Sequence, residues 1–252
     1  MKILGIESSS LVASVALVAD GVTMAEYTVN FKKTHSQTLL PMIDEVMGML
    51  EFELPEVDAI AVSGGPGSFT GLRIGSATAK GLGLALDKPL IHVPTLDAMA
   101  YGLFGAASLV CPMMDARRNQ VYTGLYRCGS SLEVLVPSCS VDIGEWAELL
   151  NGRGEPVIFL GDGVPVYQEF LGRQLKVCCR FAPAHLNRQR AASVAALGAV
   201  YLAAGKTETA MEHRPDYLKK AQAERELEEA RRQGKMQELA AGHSVGTGGN
   251  YR

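Results

Sequence analysis

One stretch dense in glycine constrains this chain more than any other: residues 63–86 read SGGPGSFTGLRIGSATAKGLGLAL. It joins a hydrophobic strand, predicted at residues 59–62, to a long predicted helix. Small residues recur at every fourth position of this helix, at Gly71, Gly75, Ala79 and Gly83. A second row of small residues accompanies the first, at Ala77, Gly81 and Ala85. Because each glycine destabilises a helix by about 1 kcal/mol relative to alanine, we expect a close contact with another segment to compensate.

The loop that precedes this helix, at residues 64–71, has two interpretations. Its amides can converge on an anion at the helix N-terminus, where unpaired N–H groups and the helix dipole favour negative charge. Alternatively, glycine permits a tight turn before a closely packed helix. The loop lacks the Gly-Lys-Ser/Thr of a Walker A motif, and Thr70 replaces the third glycine of G-x-G-x-x-G. The sequence leaves both interpretations open.

The order of predicted elements is that of an α/β protein. Alternating helices and strands follow three consecutive strands, which we predict at residues 2–7, 12–18 and 22–29. The resulting βββαβαβα order predicts a first half at residues 1–105, with helices covering its strands. A second half is predicted at residues 106–238, ending in a charged helix at about residues 217–239. Residues 239–252 are rich in glycine and serine, which predicts a flexible tail.

Two predicted helices carry more apolar surface than one sheet requires. The helix at residues 36–50 has one stripe at helical spacing: Leu39, Ile43, Val46 and Leu50. Its other face has a second stripe: Leu40, Met42, Met47 and Met49. One stripe is sufficient to pack a helix on its parent sheet. The second stripe, together with the small residues of the helix at residues 71–86, therefore predicts another partner.

Composition and charge exclude several classes of protein. The 24 Lys and Arg residues against 27 Asp and Glu residues give a net charge of −3, which is unlike an independent nucleic-acid binder. The five cysteines form no C-x-x-C pair, which indicates free thiols in a reducing compartment. Glu7 interrupts the N-terminal apolar run, unlike in a signal peptide. Arg73 and Lys80 interrupt the longest apolar helix, which is short for a membrane span. We expect a soluble, cytoplasmic protein without membrane association.

No group of residues forms a complete catalytic or metal-binding pattern. The turn at Glu7, Ser8 and Ser9 can hold phosphate, but a solvated hairpin is favoured because no cationic residue lies nearby in sequence. The five histidines are scattered without paired spacing, so no metal site is predicted. Asp115 and Arg117 are interpreted as a solvent-exposed pair in a hairpin turn, with a phosphate or carboxylate site as the alternative.

Four motifs, in their expected order, resemble those of the TsaB (YeaZ) family. They are ILGIESSS at residues 3–10, SGGPGSFTGLRIG at residues 63–75, MDAR with a following VY at residues 114–122, and PDYL with a following AE at residues 215–224. The resemblance runs from residue 1 to about residue 225, and the glycine stretch is its most specific part. It implies the actin-like or Hsp70-like ATPase fold, related to ribonuclease H, in which two related α/β halves flank a nucleotide cleft. The second half is the reduced one.

The resemblance also implies a role without catalysis. Members of the family are the dimerisation subunit of the bacterial machinery that makes threonylcarbamoyladenosine in tRNAs reading codons that begin with A. In the catalytic paralogue, TsaD, two histidines four residues apart hold a metal, and Thr95 and Met99 occupy those positions here. A hydroxyl and a thioether are poor ligands for such a metal. The resemblance thus implies no catalytic residue, metal or cofactor, and leaves Glu7, Ser8 and Ser9 as a vestigial nucleotide-binding turn.

Partners follow from the same resemblance. It implies a heterodimer with TsaD, recruitment of the ATPase TsaE, a shared pathway with the threonylcarbamoyl-adenylate synthase, and contact with tRNA only through the complex. Without TsaD, the same surface would form a homodimer. We predict that this surface comprises Leu39, Met42, Ile43, Val46, Leu72, Gly75, Ser76, Ala79 and Gly83. Two alternatives are a stand-alone enzyme, either an ATP-dependent transferase or a metalloprotease, and a small-molecule-binding module that uses Asp115 and Arg117.

Overall fold

Two five-stranded sheets organise residues 1–218, the part of the chain that the computed structural model describes. The first sheet and its helices comprise β1 (Lys2–Glu7), β2 (Val12–Ala19), β3 (Val22–Asn30), α1 (His35–Met49), β4 (Ala59–Gly65), α2 (Phe69–Leu86), β5 (Leu90–Pro94) and α3 (Thr95–Tyr101). The predicted βββαβαβα order is confirmed. A short 3-10 turn, Leu54–Glu56, leads into β4.

The second sheet follows with three antiparallel strands and two shorter parallel ones. Its elements are β6 (Leu109–Asp115), β7 (Gln120–Cys128), β8 (Leu132–Asp142), α4 (Ile143–Arg153), β9 (Val157–Leu160), α5 (Val164–Gln174) and β10 (Cys179–Phe181), and α6 (Ala191–Ala203) comes last. The sequence predicted neither β8 nor β10. β8 is an edge strand that contains Pro137 and pairs with β7 through shifted registers, which weakens the alternating pattern of a strand. The predicted terminal helix and tail lie almost wholly outside the described residues.

The strand order of the first sheet places two turns side by side. The order is β3-β2-β1-β4-β5, and β1 runs parallel to β4, with Ile6 opposite Val62. The carboxyl ends of parallel neighbours meet at one edge of a sheet. The Ser8–Ser9 turn after β1 therefore lies beside the glycine loop after β4.

Helices cover both faces of the first sheet. Leu4 and Ile6 of β1 point to the face that α1 and α2 cover, whereas Ile3 points to the face that α6 covers. The change of sheet occurs between β5 and β6, near the predicted boundary at residue 105. However, α6 returns to the first sheet and packs on β1 and β2. A division of the chain at residue 105 remains a prediction.

Two further sequence predictions concern the whole chain. All five cysteines are free, as expected from their spacing. Among residues 1–218, no helix has the length and apolar character needed to cross a bilayer.

Candidate functional site at the glycine loop and helices α1 and α2

The glycine loop and the start of α2 pack directly against the turn after β1. The Ser68 amide donates to the Ser9 carbonyl at 2.6 Å, and the Ser8 hydroxyl donates to the Gly71 carbonyl at 2.9 Å. A Cβ atom at Gly71 would lie 2.1 Å from the Ser8 carbonyl oxygen, and one at Gly75 would lie 2.2 Å from Ser8 Oγ. Real side chains do not tolerate such separations. The predicted close contact is confirmed, and this chain's own turn makes it.

The nine residues that we predicted to contact a partner protein are all buried within the fold of this chain. The buried positions include Leu39, Met42, Ile43, Val46, Leu72, Gly75, Ser76, Ala79 and Gly83. Their assignment to an exposed partner surface is wrong. The stripe of α1 packs on β2, and the buried row of α2 packs on β4 and β5. A Cβ atom at Gly83, for example, would lie 2.9 Å from the side chain of Leu90.

The second row of small residues on α2 faces outward instead. Ala77 and Gly81 are exposed, and a Cβ atom at Gly81 would have no neighbour within 4 Å. Leu84, on the same side of α2, is 59% exposed. On the adjacent helix α1, Leu40 is 55% exposed. Met49 is also exposed, but it lies on the opposite side of α1, beside β3. We call the four residues Leu40, Ala77, Gly81 and Leu84 the outer helix face. Exposed apolar residues on adjacent helices mark candidate interaction sites.

Glu7 is buried beneath the turn that follows it. Its Oε1 atom accepts hydrogen bonds from the Ser9 amide at 2.6 Å and from the Ser9 hydroxyl at 2.5 Å. Burial raises the pKa of Glu7 to about 7, although the bonds from Ser9 oppose this rise and Asp162 adds to it. Ser8 and Ser9 are fully buried, so the favoured interpretation of a solvated hairpin is wrong. The donors that a phosphate would need at Ser9 already bind the carboxylate of Glu7.

Thr95 and Met99 share one face of α3, since they are four residues apart. Thr95 is fully buried, and its hydroxyl has no hydrogen-bond partner. Met99 is 4% exposed and packs in a cluster with Leu103, Val110 and Leu160. Its Cε atom would lie 2.9 Å from a Cβ atom at Gly161. The two positions therefore hold a buried hydroxyl and a buried thioether.

A group of buried polar atoms near Glu7 was missed by sequence reasoning. Asp162 lies in the loop after β9, and burial is the main cause that raises its pKa. Asp162 Oδ1 and both amide atoms of the fully buried Gln189 make no hydrogen bond of standard geometry, although Gln189 lies close enough to Asp162 to lower its pKa. Buried polar groups without a protein partner are normally hydrogen-bonded to ordered water or a ligand. The detectable signal was Gly161-Asp162-Gly163, which follows a buried strand as the turn at Glu7 does.

Asp115 stabilises its own turn. Its Oδ1 atom accepts from the Arg117 amide at 2.8 Å and from the Tyr167 hydroxyl at 3.3 Å. Arg117, Arg118 and Asn119 all have positive φ angles, which a loop stabilised by an Asx-type bond accommodates. Asp115 and Arg117 are both exposed, which confirms their interpretation as surface residues.

Comparisons with known proteins identify the family. A family model described as "TsaD: tRNA N6-adenosine threonylcarbamoyltransferase" matches residues 25–227. The chain is 34% identical over 227 residues to "tRNA threonylcarbamoyladenosine biosynthesis protein TsaB" from Bacillus subtilis, covering 89% of this chain and 96% of that protein. The chain belongs to the TsaB family. It thereby also lies within the wider family that the TsaD model describes.

Solved structures give the fold of this TsaB-family chain. YeaZ from Pseudomonas aeruginosa is 27% identical, with a TM-score of 0.74 over 86% of this chain and 99% of that one. The activator of the 2-hydroxyisocaproyl-CoA dehydratase from Clostridium difficile, solved with bound ADPNP, is 10% identical, with a TM-score of 0.50 over 81% of this chain and 97% of that one. This second likeness concerns the fold alone. The predicted actin-like ATPase fold is confirmed.

Folding also assembles side chains of this TsaB-family protein that its sequence keeps far apart. His92 lies on β5, whereas Glu208 and His213 follow α6. One potential ligand atom from each residue lies within 4.8 Å of the other two. The sequence predicted no metal site, because no local spacing connects these positions.

Burial of Glu7 predicts a pH-dependent stability. Between pH 4.5 and about 7, the folded chain keeps a proton on Glu7 that the unfolded chain releases. The stability contributed by this proton is therefore complete below pH 4.5 and is lost as the pH rises to about 7. Glu7→Gln carries no such charge. We expect the free energy of unfolding of Glu7→Gln minus that of the wild type to increase by on the order of 3 kcal/mol between about pH 5 and about pH 8.

Urea unfolding of both proteins at several pH values measures this difference. Glu148→Gln is the matched control, since Glu148 is exposed on α4. Parallel pH curves for the wild type and Glu7→Gln would contradict the prediction.

Proposed function

We propose that this TsaB-family protein is a non-catalytic subunit of the machinery that forms threonylcarbamoyladenosine in tRNAs reading codons that begin with A. Its relatives named for this biosynthesis support the pathway. One observation carries the absence of catalysis: Thr95 and Met99 are a buried hydroxyl and a buried thioether where the resemblance to TsaD implies metal-binding histidines. Neither group replaces an imidazole at a hard or borderline metal.

The proposed partner of this chain is TsaD, and the contact surface is the outer helix face. Leu40 and Leu84 supply exposed apolar groups. Ala77 and Gly81 have small or absent side chains, which permits a partner helix to approach α2 closely. Without TsaD, a second copy of this chain covers the same face. The assembled pair helps to recruit TsaE, and tRNA is contacted through the complex.

The proposal assigns no nucleotide to this chain's own cleft. Glu7 accepts the hydrogen bonds of the Ser9 amide and hydroxyl, and a bound phosphate would have to displace this carboxylate against its charge. The subunit instead supports the nucleotide site of TsaD.

Reconstitution tests the proposed function. TsaD, TsaE and the threonylcarbamoyl-adenylate synthase are combined with tRNA, ATP, threonine and bicarbonate, with and without this chain. We expect omission to slow formation of the modified nucleoside at least about tenfold, which corresponds to about 1.4 kcal/mol in activation free energy. An undiminished rate without this chain would refute the proposal. Robust ATP hydrolysis by the isolated chain would favour a stand-alone transferase instead.

A further inference from the structure

Three potential metal ligands meet beside β5. One ring nitrogen each from His92 and His213 and one carboxylate oxygen from Glu208 lie within 4.8 Å of one another. The two imidazole centroids are 5.8 Å apart, and Glu208 Oε1 lies 2.5 Å from Nδ1 of His213. We infer that His92, Glu208 and His213 bind one zinc-class divalent cation, and that this ion fastens residues 208–216 to the first sheet.

Backbone contacts already position the ligands. Glu208 and Leu90 exchange two backbone hydrogen bonds of 2.9 Å each, which places Glu208 against β5, two residues from His92. At the other end of the segment, the Asp216 amide donates to the Gly64 carbonyl at 2.6 Å. Since both ends are held, binding an ion requires little additional ordering of the chain.

The turn between these anchors is also held by its own side chains. The amide and hydroxyl of Thr209 both donate to Glu212 Oε2, at 3.0 and 2.8 Å. The His213 amide donates to the Thr209 carbonyl at 3.1 Å. These bonds keep His213 directed into the protein, where it is 1% exposed.

The imidazole of His213 is oriented toward the carboxylate of Glu208. Its Nδ1 atom faces Glu208 Oε1, so an ion held by both residues binds Nδ1, while the buried Nε2 atom, which has no hydrogen-bond partner, carries the ring proton. The ring of His92 fills the space beside Gly64, where a Cβ atom would lie 2.1 Å from it. This packing holds the ring in place.

The ligand types at the site suit a zinc-class cation. Two imidazoles and one carboxylate form a set that binds zinc in proteins. A second carboxylate borders the site, since Asp216 Oδ2 lies 3.2 Å from Nε2 of His92. Two cations also border the site, since Lys80 Nζ and Arg214 Nη1 donate to the His213 carbonyl at 3.3 and 2.8 Å. These two positive charges balance the two carboxylates, so the ligand atoms rather than a net negative charge hold the ion.

Metal titration of the untagged, full-length protein tests the site. After treatment with EDTA and desalting, the chain is titrated with Zn²⁺ and, separately, with Co²⁺ as a spectroscopic probe. We expect about one ion per chain, a visible Co²⁺ spectrum typical of four-coordinate nitrogen and oxygen ligands, and a Tm increase of roughly 5–10 °C at a hundredfold excess of Zn²⁺ over its Kd. A wild-type chain without stoichiometric binding would overturn the inference. Thiolate-to-cobalt charge transfer would also overturn it, by placing the ion on cysteine.

Substitutions of the proposed ligands test which residues bind the ion. We expect His92→Gln and Glu208→Gln each to weaken Zn²⁺ binding at least about tenfold, whereas His185→Gln, at an exposed histidine outside the group, leaves it unchanged. Circular dichroism checks that each variant is folded, and the wild-type titration remains decisive if one is not. Undiminished binding by both folded variants would overturn the site.

Limited proteolysis tests the fastening role. Lys206 is exposed and lies two residues before the segment, so trypsin cleavage after Lys206 reports on its opening. We expect Zn²⁺ to slow this cleavage in the wild type, but not in His92→Gln. Equal cleavage rates of the wild type with and without Zn²⁺ would refute the fastening role.

Discussion

We expect Leu84→Glu to weaken binding to TsaD at least about 30-fold, the loss of a hot-spot contact of about 2 kcal/mol. Leu84 is 59% exposed on α2, beside the small residues Ala77 and Gly81. A partner helix packed on this face would bury the new carboxylate without a counter-charge. Isothermal titration of TsaD with the wild type and the variant measures the effect.

The same substitution should leave the isolated chain folded, because Leu84 packs little of its side chain within it. Val166→Glu is a matched control: Val166 is 57% exposed and lies on α5, on the second sheet's side of the chain. Equal affinities of TsaD for Leu84→Glu and Val166→Glu would show that the outer helix face is not the interface. Sedimentation of the chain alone should show the same difference for the homodimer. A homodimer that survives Leu84→Glu would mean that the two assemblies use different surfaces.

The second large effect is expected at Gly71, where alanine should destabilise the protein by about 1–3 kcal/mol. The added Cβ would lie 2.1 Å from the carbonyl oxygen of Ser8, and backbone atoms cannot move away as the end of a long side chain can. Overpacking of this kind forces backbone shifts at about this cost. The midpoint of urea unfolding, followed by circular dichroism, measures the change.

Gly81→Ala in the same helix is the control for Gly71→Ala. A Cβ at Gly81 has open space around it, so only the gain in helix propensity remains. We expect this variant to be more stable than the wild type by about 0.5–1 kcal/mol. Similar unfolding midpoints for the two variants would show that α2 does not pack against the turn after β1 as described.

The polar part of the site was only partly predictable. Glu7 and Ser9 stand two residues apart, and their type and position after a strand marked the turn as unusual. That the carboxylate would accept the Ser9 hydrogen bonds depended on burial. Asp162 and Gln189 were not predicted, because their proximity depends on how the loop after β9 and the segment before α6 meet.

The sequence by itself determined the βββαβαβα order and the need for a close contact along α2. These properties follow from hydrophobic periodicity and the destabilising effect of glycine in a helix, both of which are local. The fold family followed from the resemblance of four motifs, in their order, to the TsaB family. It could not determine which row of small residues faces inward. Gly75 and Ala77 are only two residues apart, but lie about 200° apart around the helix.

Tertiary structure determines which row of small residues on α2 faces inward. The sheet and the turn at Ser8 lie against Gly71 and Gly75, which turns Ala77 and Gly81 toward solvent. The same physical reason applies to His92 and His213. The pairing of Leu90 with Glu208 and the hydrogen bond from the Asp216 amide to the Gly64 carbonyl bring these distant segments together, and contacts over such a sequence separation leave no periodic signal.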